Sequence, residues 1–193
     1  MRMSSPDTGR ERPLSALTTN KKITITMAHI YIGIDNGLTG GLVALSDHPG
    51  PPIEMIVMPT RGKTNGNEVD AKEVYFILSA ISGGLSGRIT VILETPGKHS
   101  PGAQALSSMW DSYGAIRGVL ESRGIRHHRI TPQAWQKKML PGCAKGDTKP
   151  AALAKARQLW PQENWLATPR STVAHGGLID AALIAEYGRI LNL

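Results

Sequence analysis

The sequence predicts an α/β protein in which helices cover a β-sheet. Two short apolar segments, residues 29–35 and 40–46, flank a glycine-rich turn, as in a β-hairpin. A third apolar segment of strand length follows at residues 53–59. Beyond residue 67, segments with helical periodicity alternate with two further short apolar segments. Antiparallel strands followed by alternating helices and strands are typical of a sheet with helices on its faces.

The remaining elements can be assigned in chain order. Residues 61–67 are polar and predict a loop, and residues 68–82 have apolar side chains at helical spacing and predict a helix. Pro132 at a first turn and Asp147 as an N-cap mark the starts of two later helices. The other predicted elements are a strand ending at Glu94, a helix over residues 105–124, a short strand over residues 125–131, and helices over residues 132–140, 147–160 and 176–191.

Length and composition are typical of one globular domain. The chain has 193 residues, of which 40% are hydrophobic, so it can bury a substantial core. Residues 1–27 are polar and aperiodic, and we expect a disordered basic extension there, followed by the folded domain over residues 28–193. No apolar segment approaches the roughly 18 residues of a membrane-spanning helix.

Cysteine content and charge narrow the function further. The single cysteine, Cys143, excludes an internal disulfide framework and a zinc site built from cysteines, and it suits a reducing interior such as the cytosol. The net charge of +7 and the pI of about 9.8 favour a polyanionic partner.

Three carboxylates lie at informative positions. Asp35 and Glu94 each end a predicted buried strand, and Asp180 lies in a helix that is apolar almost all round. Asp35 could serve the turn alone, and Asp180 could serve the helix start alone. An unpaired acid in a buried helix costs several kcal/mol, on the order of a buried unsatisfied charge, so Asp180 is expected to face a partner or a cavity.

A histidine precedes the last helix. In a continuous helix, His175 and Asp180 would lie about 140° apart, on different faces. Gly176 and Gly177 would let His175 fold back over the helix start and join Asp180 at one site. Acids on different elements are what divalent metal chemistry on phosphates requires, so a basic protein with this set suggests a nuclease.

Six segments in order resemble a known family. The segments IGIDNGLTGGLVAL, VILETPG, SMWDSYGAIRGVL, ITPQAWQKKM, KGDTKPAALAKARQLWP and HGGLIDAALIAEYGR are similar to those of RuvC-type Holliday junction resolvases, chiefly the bacteriophage and chloroplast branch. The resemblance covers roughly residues 28–191. It implies an RNase H-like fold with a central mixed five-stranded sheet, a homodimer, and Mg²⁺-dependent cleavage of four-way DNA junctions in recombination and repair.

The resemblance also assigns roles to residues. Asp35 corresponds to the first-strand catalytic acid, Glu94 to the second, and Asp180 to the acid on the last helix. His175 falls where relatives have Asp or His, and it would serve as a metal ligand or a general base. These four residues would be both catalytic and metal-binding, holding two Mg²⁺ ions per active site, with Mn²⁺ as a substitute. We expect a cytoplasmic location, at the nucleoid or in a phage-infected host cell, with an organelle as the alternative.

Junction DNA would be held mainly through its phosphates. Trp110 would stack on an unpaired base, or it would pack in the core or a dimer interface. Trp135 and Trp160 are expected to be packing residues. The predicted DNA-binding residues are Lys98, Trp110, Lys137, Lys145 and Lys149.

Other functions fit parts of the same pattern. An RNA–DNA hybrid nuclease, another branched-DNA nuclease or a transposase core would use the same acids. A non-catalytic junction-binding protein would lack one of them, and all three are present here. An actin-like ATPase has a similar phosphate-binding hairpin, but 193 residues are too few for its two lobes.

Overall fold

The structure, a computed structural model, describes residues 28–84, 86–97, 102–144 and 146–193. The predicted basic extension, Lys98 and Lys145 lie outside the described residues. Among the described residues, no helix is long and apolar enough to cross a membrane.

A mixed five-stranded sheet forms the centre of the fold. In the described residues, the strands are β1 Ile30–Asp35, β2 Gly41–Ser46, β3 Glu54–Val57, β4 Thr60–Lys63, β5 Gly66–Val69, β6 Ile89–Glu94 and β7 His127–Ile130. The strand order in the sheet is β3-β2-β1-β6-β7, in which β1 pairs antiparallel with β2 and parallel with β6, and β7 pairs parallel with β6. A separate two-stranded hairpin contains β4 and β5.

Helices cover both faces of this sheet. Within the part of the chain that the structure describes, the α-helices are α1 Ala71–Ser82, α2 Ala103–Ser122, α3 Pro132–Met139, α4 Thr148–Leu159 and α5 Gly176–Leu191. Side chains that alternate along β1 point to opposite faces, so Ile32 and Ile34 pack with α1 and α2, whereas Tyr31 packs with α3, α4 and α5. The mixed five-stranded sheet flanked by helices, predicted from the sequence, is confirmed.

The structure differs from the sequence prediction between residues 60 and 70. The predicted polar loop is the β4–β5 hairpin, in which Thr60 pairs with Val69 and Lys63 with Gly66. Most of its side chains are exposed, so it lacks the apolar alternation by which a half-buried strand is predicted. The following helix begins at Ala71 rather than at residue 68, because the Asp70 side chain caps it by accepting from two backbone N–H groups.

Asp147 also differs in detail from its predicted role. It occupies the N-cap position of α4, but its side chain accepts no capping hydrogen bond. Beyond its first turn, α4 packs against the core through the buried Ala152 and Ala156.

Candidate active site

Two predicted acids lie at the same edge of the sheet. Asp35 ends β1 and Glu94 ends the parallel neighbour β6, where Ile34 pairs with Leu93 one residue earlier. Adjacent strands are about 4.8 Å apart, so the two acids leave the sheet side by side. Both lie on the face that α5 covers, because Tyr31 and Ile92 at the same parity pack there.

Helix α5 brings Asp180 to this edge because β1 has a glycine beneath it. A Cβ built on Gly33 would lie 2.0 Å from the backbone oxygen of Ala181, so only a glycine permits this approach. Gly33 shares its face with Asp35, two residues further on. The close packing therefore sets Asp180 against the end of β1.

We expect Gly33→Ala to lower the free energy of unfolding by at least about 1–3 kcal/mol, as overpacking does. Urea denaturation measures the change. Gly118→Ala in α2 is the matched control, because a Cβ built there meets no atom within 4 Å. That control should leave stability unchanged or raise it by up to about 1 kcal/mol. Equal stability of the two variants would contradict the close approach.

The start of α5 is held against the β1–β2 turn. A Cβ built on Gly177 would lie 2.3 Å from the backbone oxygen of Thr39. His175 is the N-cap residue of α5, and its Nδ1 accepts a hydrogen bond of 3.2 Å from the backbone N–H of Leu178. The prediction that His175 folds back over the helix start is confirmed.

This cap determines which nitrogen of His175 is protonated. A neutral imidazole has one donor and one acceptor, and Nδ1 is the acceptor here. The proton of the neutral ring is therefore on Nε2. In this tautomer, the ring nitrogen of His175 that is free of the cap, Nε2, is a hydrogen-bond donor and has no lone pair for a ligand.

A cleft of about 550 Å³ opens at this place. Asp35, His175 and Asp180 line it, together with Lys149 from the first turn of α4. Its outer wall is the segment before α5, including Ser171 and Thr172. A different cavity, of about 450 Å³ around Trp160, contains none of the four predicted site residues.

Glu94 is not among the residues that line the cleft, and two side chains hold it in place. The indole Nε1–H of Trp135 donates to Glu94 Oε1 at 2.6 Å. The side-chain amide of Asn36 donates to the backbone oxygen of Glu94, and Asn36 is itself buried. From the sequence, Trp135 is expected to be a packing residue, and its burial confirms this. Its hydrogen bond to Glu94 is not predictable from the sequence.

Burial raises the pKa values of all three acids, and repulsion from Asp35 adds to the shifts of Glu94 and Asp180. Burial raises the pKa of Asp35, although a hydrogen bond from Gly37 and the nearby His175 oppose the shift. Burial raises the pKa of Glu94 to about 8, with further contributions from Asp35 and Asp180, against the Trp135 hydrogen bond. Burial and Asp35 raise the pKa of Asp180 to about 7, whereas Lys149 lowers it. The three carboxyl groups thus share one poorly solvated region.

The acids have the chemistry of ligands for a divalent cation, but their side chains are not yet arranged around one position. Within the described ranges, no group of three or more His, Cys, Asp or Glu side chains is already arranged to hold an ion. Yet Asp35 repels both Glu94 and Asp180, while Lys149 lowers the pKa of Asp180 and His175 lowers that of Asp35. Carboxylate oxygens are the ligands that Mg²⁺ prefers, so an ion would relieve this repulsion.

The predicted DNA-binding residues separate into two groups. Lys149 lies at the cleft with the acids. Lys137 is exposed in the last turn of α3, and Trp110 is 48% exposed on α2, where its ring meets Tyr113 edge-on at 5.6 Å. Trp110 is therefore not a core residue. Lys98 and Lys145 lie outside the described residues.

This architecture has a similar solved structure, although the sequence has no match. The chain matches no family model and no curated protein sequence. Its structure is similar to that of T. thermophilus RuvC in complex with a Holliday junction substrate, with a TM-score of 0.53 and 18% identity over 85% of this chain and 94% of that chain. A second Thermus thermophilus RuvC structure gives a TM-score of 0.43 and 16% identity over 84% and 96% of the two chains.

The mixed sheet with helices on both faces is an α/β fold of the RNase H-like class. Within that class, the fold of this protein is RuvC-like. The resemblance predicted from the sequence motifs is thereby confirmed for the fold.

Proposed function

We propose that the protein is a structure-selective endodeoxyribonuclease that resolves four-way DNA junctions by paired, metal-dependent hydrolysis of phosphodiesters. One observation supports this most directly. The carboxyl groups of Asp35, Glu94 and Asp180 meet at one edge of a RuvC-like sheet, where burial raises all three pKa values and Asp35 further raises those of Glu94 and Asp180. The excess of positive charge, +7, suits a polyanionic substrate.

The three acids would hold Mg²⁺, with two ions per site and Mn²⁺ as a substitute. Such ions activate a water for attack on phosphorus and stabilise the leaving oxygen. Asp35 accepts the Gly37 N–H through Oδ1 at 3.1 Å, which fixes the carboxylate and leaves Oδ2 for a ligand. Because Asp35 affects the pKa of both other acids, it is the central member of the set.

His175 acts in this proposal as a hydrogen-bond donor to the bound phosphate. Its Nδ1 is used by the α5 cap, so Nε2–H is the group that remains for the substrate. Service as a metal ligand through Nε2 would require the other tautomer and the loss of the cap. An N–H directed at a phosphate oxygen stabilises the charge that develops there during hydrolysis.

Lys149 would contact a phosphate at the cleft. We expect Lys149→Ala to weaken junction binding and to reduce the slope of log affinity against log salt by about 1. Binding measured at several salt concentrations checks both effects. Lys155→Ala is the control, because Lys155 lies six residues further along α4 and hydrogen-bonds Gln158. If both variants lose the same affinity, Lys149 has no specific role.

Two symmetric nicks require two active sites, and each chain has one set of acids, so we propose a homodimer. The half-exposed Trp110 is available to a dimer interface or to an unpaired base. Sedimentation of the free protein and of its junction complex would test the stoichiometry, and a protein that cuts as a monomer would contradict this part.

The decisive experiment compares a labelled four-way junction with matched duplex and RNA–DNA hybrid, with and without Mg²⁺. Paired symmetric nicks on the junction alone, and only with metal, are the expected result. Cleavage of the hybrid instead would assign the acids to a ribonuclease. Junction binding without cleavage under any metal would make the protein a non-catalytic binding protein.

A further inference from the structure

We propose that Trp135 is a positioning residue for the active site, whose indole N–H holds the carboxylate of Glu94 so that Oε2 alone is offered to the cation. This inference rests on the proposed metal-dependent function. It assigns to a buried tryptophan, expected from the sequence only to pack, a specific polar contact with one of the acids.

Strand pairing and a helix cap place Trp135 beside Glu94. Glu94 pairs with Ile130 at the end of β7, and Thr95 donates both its backbone N–H and its hydroxyl to the Ile130 oxygen. Thr131 then caps α3 by accepting from Ala134. The first turn of α3 therefore starts at a fixed distance from β6, and its fourth residue is Trp135.

Packing in the core holds the indole of Trp135 in one orientation. Trp135 is 1% exposed, among the α3, α4 and α5 side chains of the core. Its Nε1 lies 2.6 Å from Glu94 Oε1, which is at the short end of N–H···O hydrogen-bond distances. An indole N–H only donates and has no lone pair, so it restrains Glu94 without competing for a cation.

A second restraint acts on the backbone of the same residue. The Asn36 amide donates to the Glu94 backbone oxygen, and Asn36 directly follows Asp35. The position of Glu94 is thus tied to the end of β1 by Asn36, and its orientation is set by Trp135. Groups that orient a ligand from behind in this way reduce the entropy lost on metal binding.

The test uses Trp135→Phe, which keeps an aromatic ring and removes the N–H. Trp160→Phe is the matched control, since Trp160 is also buried and its N–H donates to the Gly50 oxygen, away from the acids. We expect calorimetric titration with Mn²⁺ alone to show affinity reduced at least about 10-fold in Trp135→Phe. Trp160→Phe should bind Mn²⁺ as the wild type does, even where both variants lose thermal stability.

A double variant separates orientation from general damage to the fold. In a Glu94→Gln background, Trp135→Phe should cause no further loss of Mn²⁺ affinity, because the carboxylate it orients is gone. Equal and independent losses in both backgrounds would overturn the proposal. So would wild-type Mn²⁺ affinity in Trp135→Phe alone.

A measurement on the wild-type protein keeps the proposal testable if Trp135→Phe fails to fold. The chain has 4 tryptophans, so the indole ¹H–¹⁵N resonances can be assigned with single Trp→Phe variants. Mg²⁺ should shift the Trp135 resonance and leave that of Trp160 in place. An unmoved Trp135 resonance in a protein that binds Mg²⁺ and cuts junctions would overturn this inference alone. A protein that neither binds the ion nor cuts would overturn the proposed function with it.

Discussion

We expect replacement of Asp35 by Asn to abolish the proposed junction cleavage and to leave junction binding intact or tighter. Asp35 raises the pKa of both Glu94 and Asp180, so it is the acid that connects the other two. Asn is nearly the same shape and still has an Oδ1 to accept the Gly37 N–H, so the turn should survive. Cleavage should fall by about 10³-fold or more, equivalent to about 4 kcal/mol of transition-state stabilisation.

Binding should not fall with cleavage, because the substitution removes a negative charge from the cleft, which receives phosphates in the proposed function. Cleavage of a labelled junction and a gel-shift assay, both in Mg²⁺, measure the two effects. Asp47→Asn is the control: Asp47 follows β2 at the opposite end of the β1–β2 pair and should cut normally. Wild-type cleavage by Asp35→Asn would remove Asp35 from the mechanism.

The fold was predictable because its strands are buried and its helices are periodic. In β1 and β6, every residue before Asp35 and Glu94 is buried. Helix α5 matches the predicted residues 176–191. The acids were predictable for a related reason: a carboxylate at the end of a buried strand needs a partner. Local sequence was sufficient to place these acids at the ends of elements, whereas their catalytic and metal-binding roles rest on the family resemblance and stay predictions.

The supporting contacts were not predictable because they depend on tertiary packing. Nothing near Trp135 in the sequence indicates that its N–H meets Glu94, 41 residues away. The place of Gly33 under Ala181 also follows only from the way α5 crosses β1. The β4–β5 hairpin was not predicted because most of its side chains are exposed. Its sequence therefore lacks the alternation of apolar and polar residues by which a strand is predicted.

The β1–β2 turn combines the two interpretations of Asp35 that the sequence left open. Asp35 does serve the turn, since Oδ1 accepts from Gly37. It also lies at a cleft with Asp180 and His175. The hydrogen bond from Gly37 uses Oδ1 and restrains the carboxylate, and it leaves Oδ2 for the proposed ligand. The two roles of Asp35 are therefore compatible.

In the absence of divalent metal, the protein should lose stability as pH rises from about 4 to about 8. The ordinary pKa values of Glu94 and Asp180 are 4.5 and 3.8, and burial with mutual repulsion raises them to about 8 and about 7 in the folded state. Between these limits the folded protein binds more protons than the unfolded chain, so the free energy of unfolding falls with rising pH. Glu94→Gln should therefore stabilise the metal-free protein at pH 8, by an amount on the order of 2 kcal/mol.

Thermal and urea unfolding in a chelator at pH 5 and pH 8 measure this dependence. Gln can still accept the Trp135 N–H, so the variant removes charge with little change in packing. Glu121→Gln is the control, because Glu121 is exposed in an ion pair with Arg117, a type of contact that contributes little. Mg²⁺ should then raise the melting temperature of the wild type at pH 8 more than that of Glu94→Gln, since the proposed ion would bind the folded state and neutralise the same charges. A Glu94→Gln variant less stable than the wild type at pH 8 would show that the carboxylate is compensated within the protein, and the case for a cation at this edge of the sheet would fail.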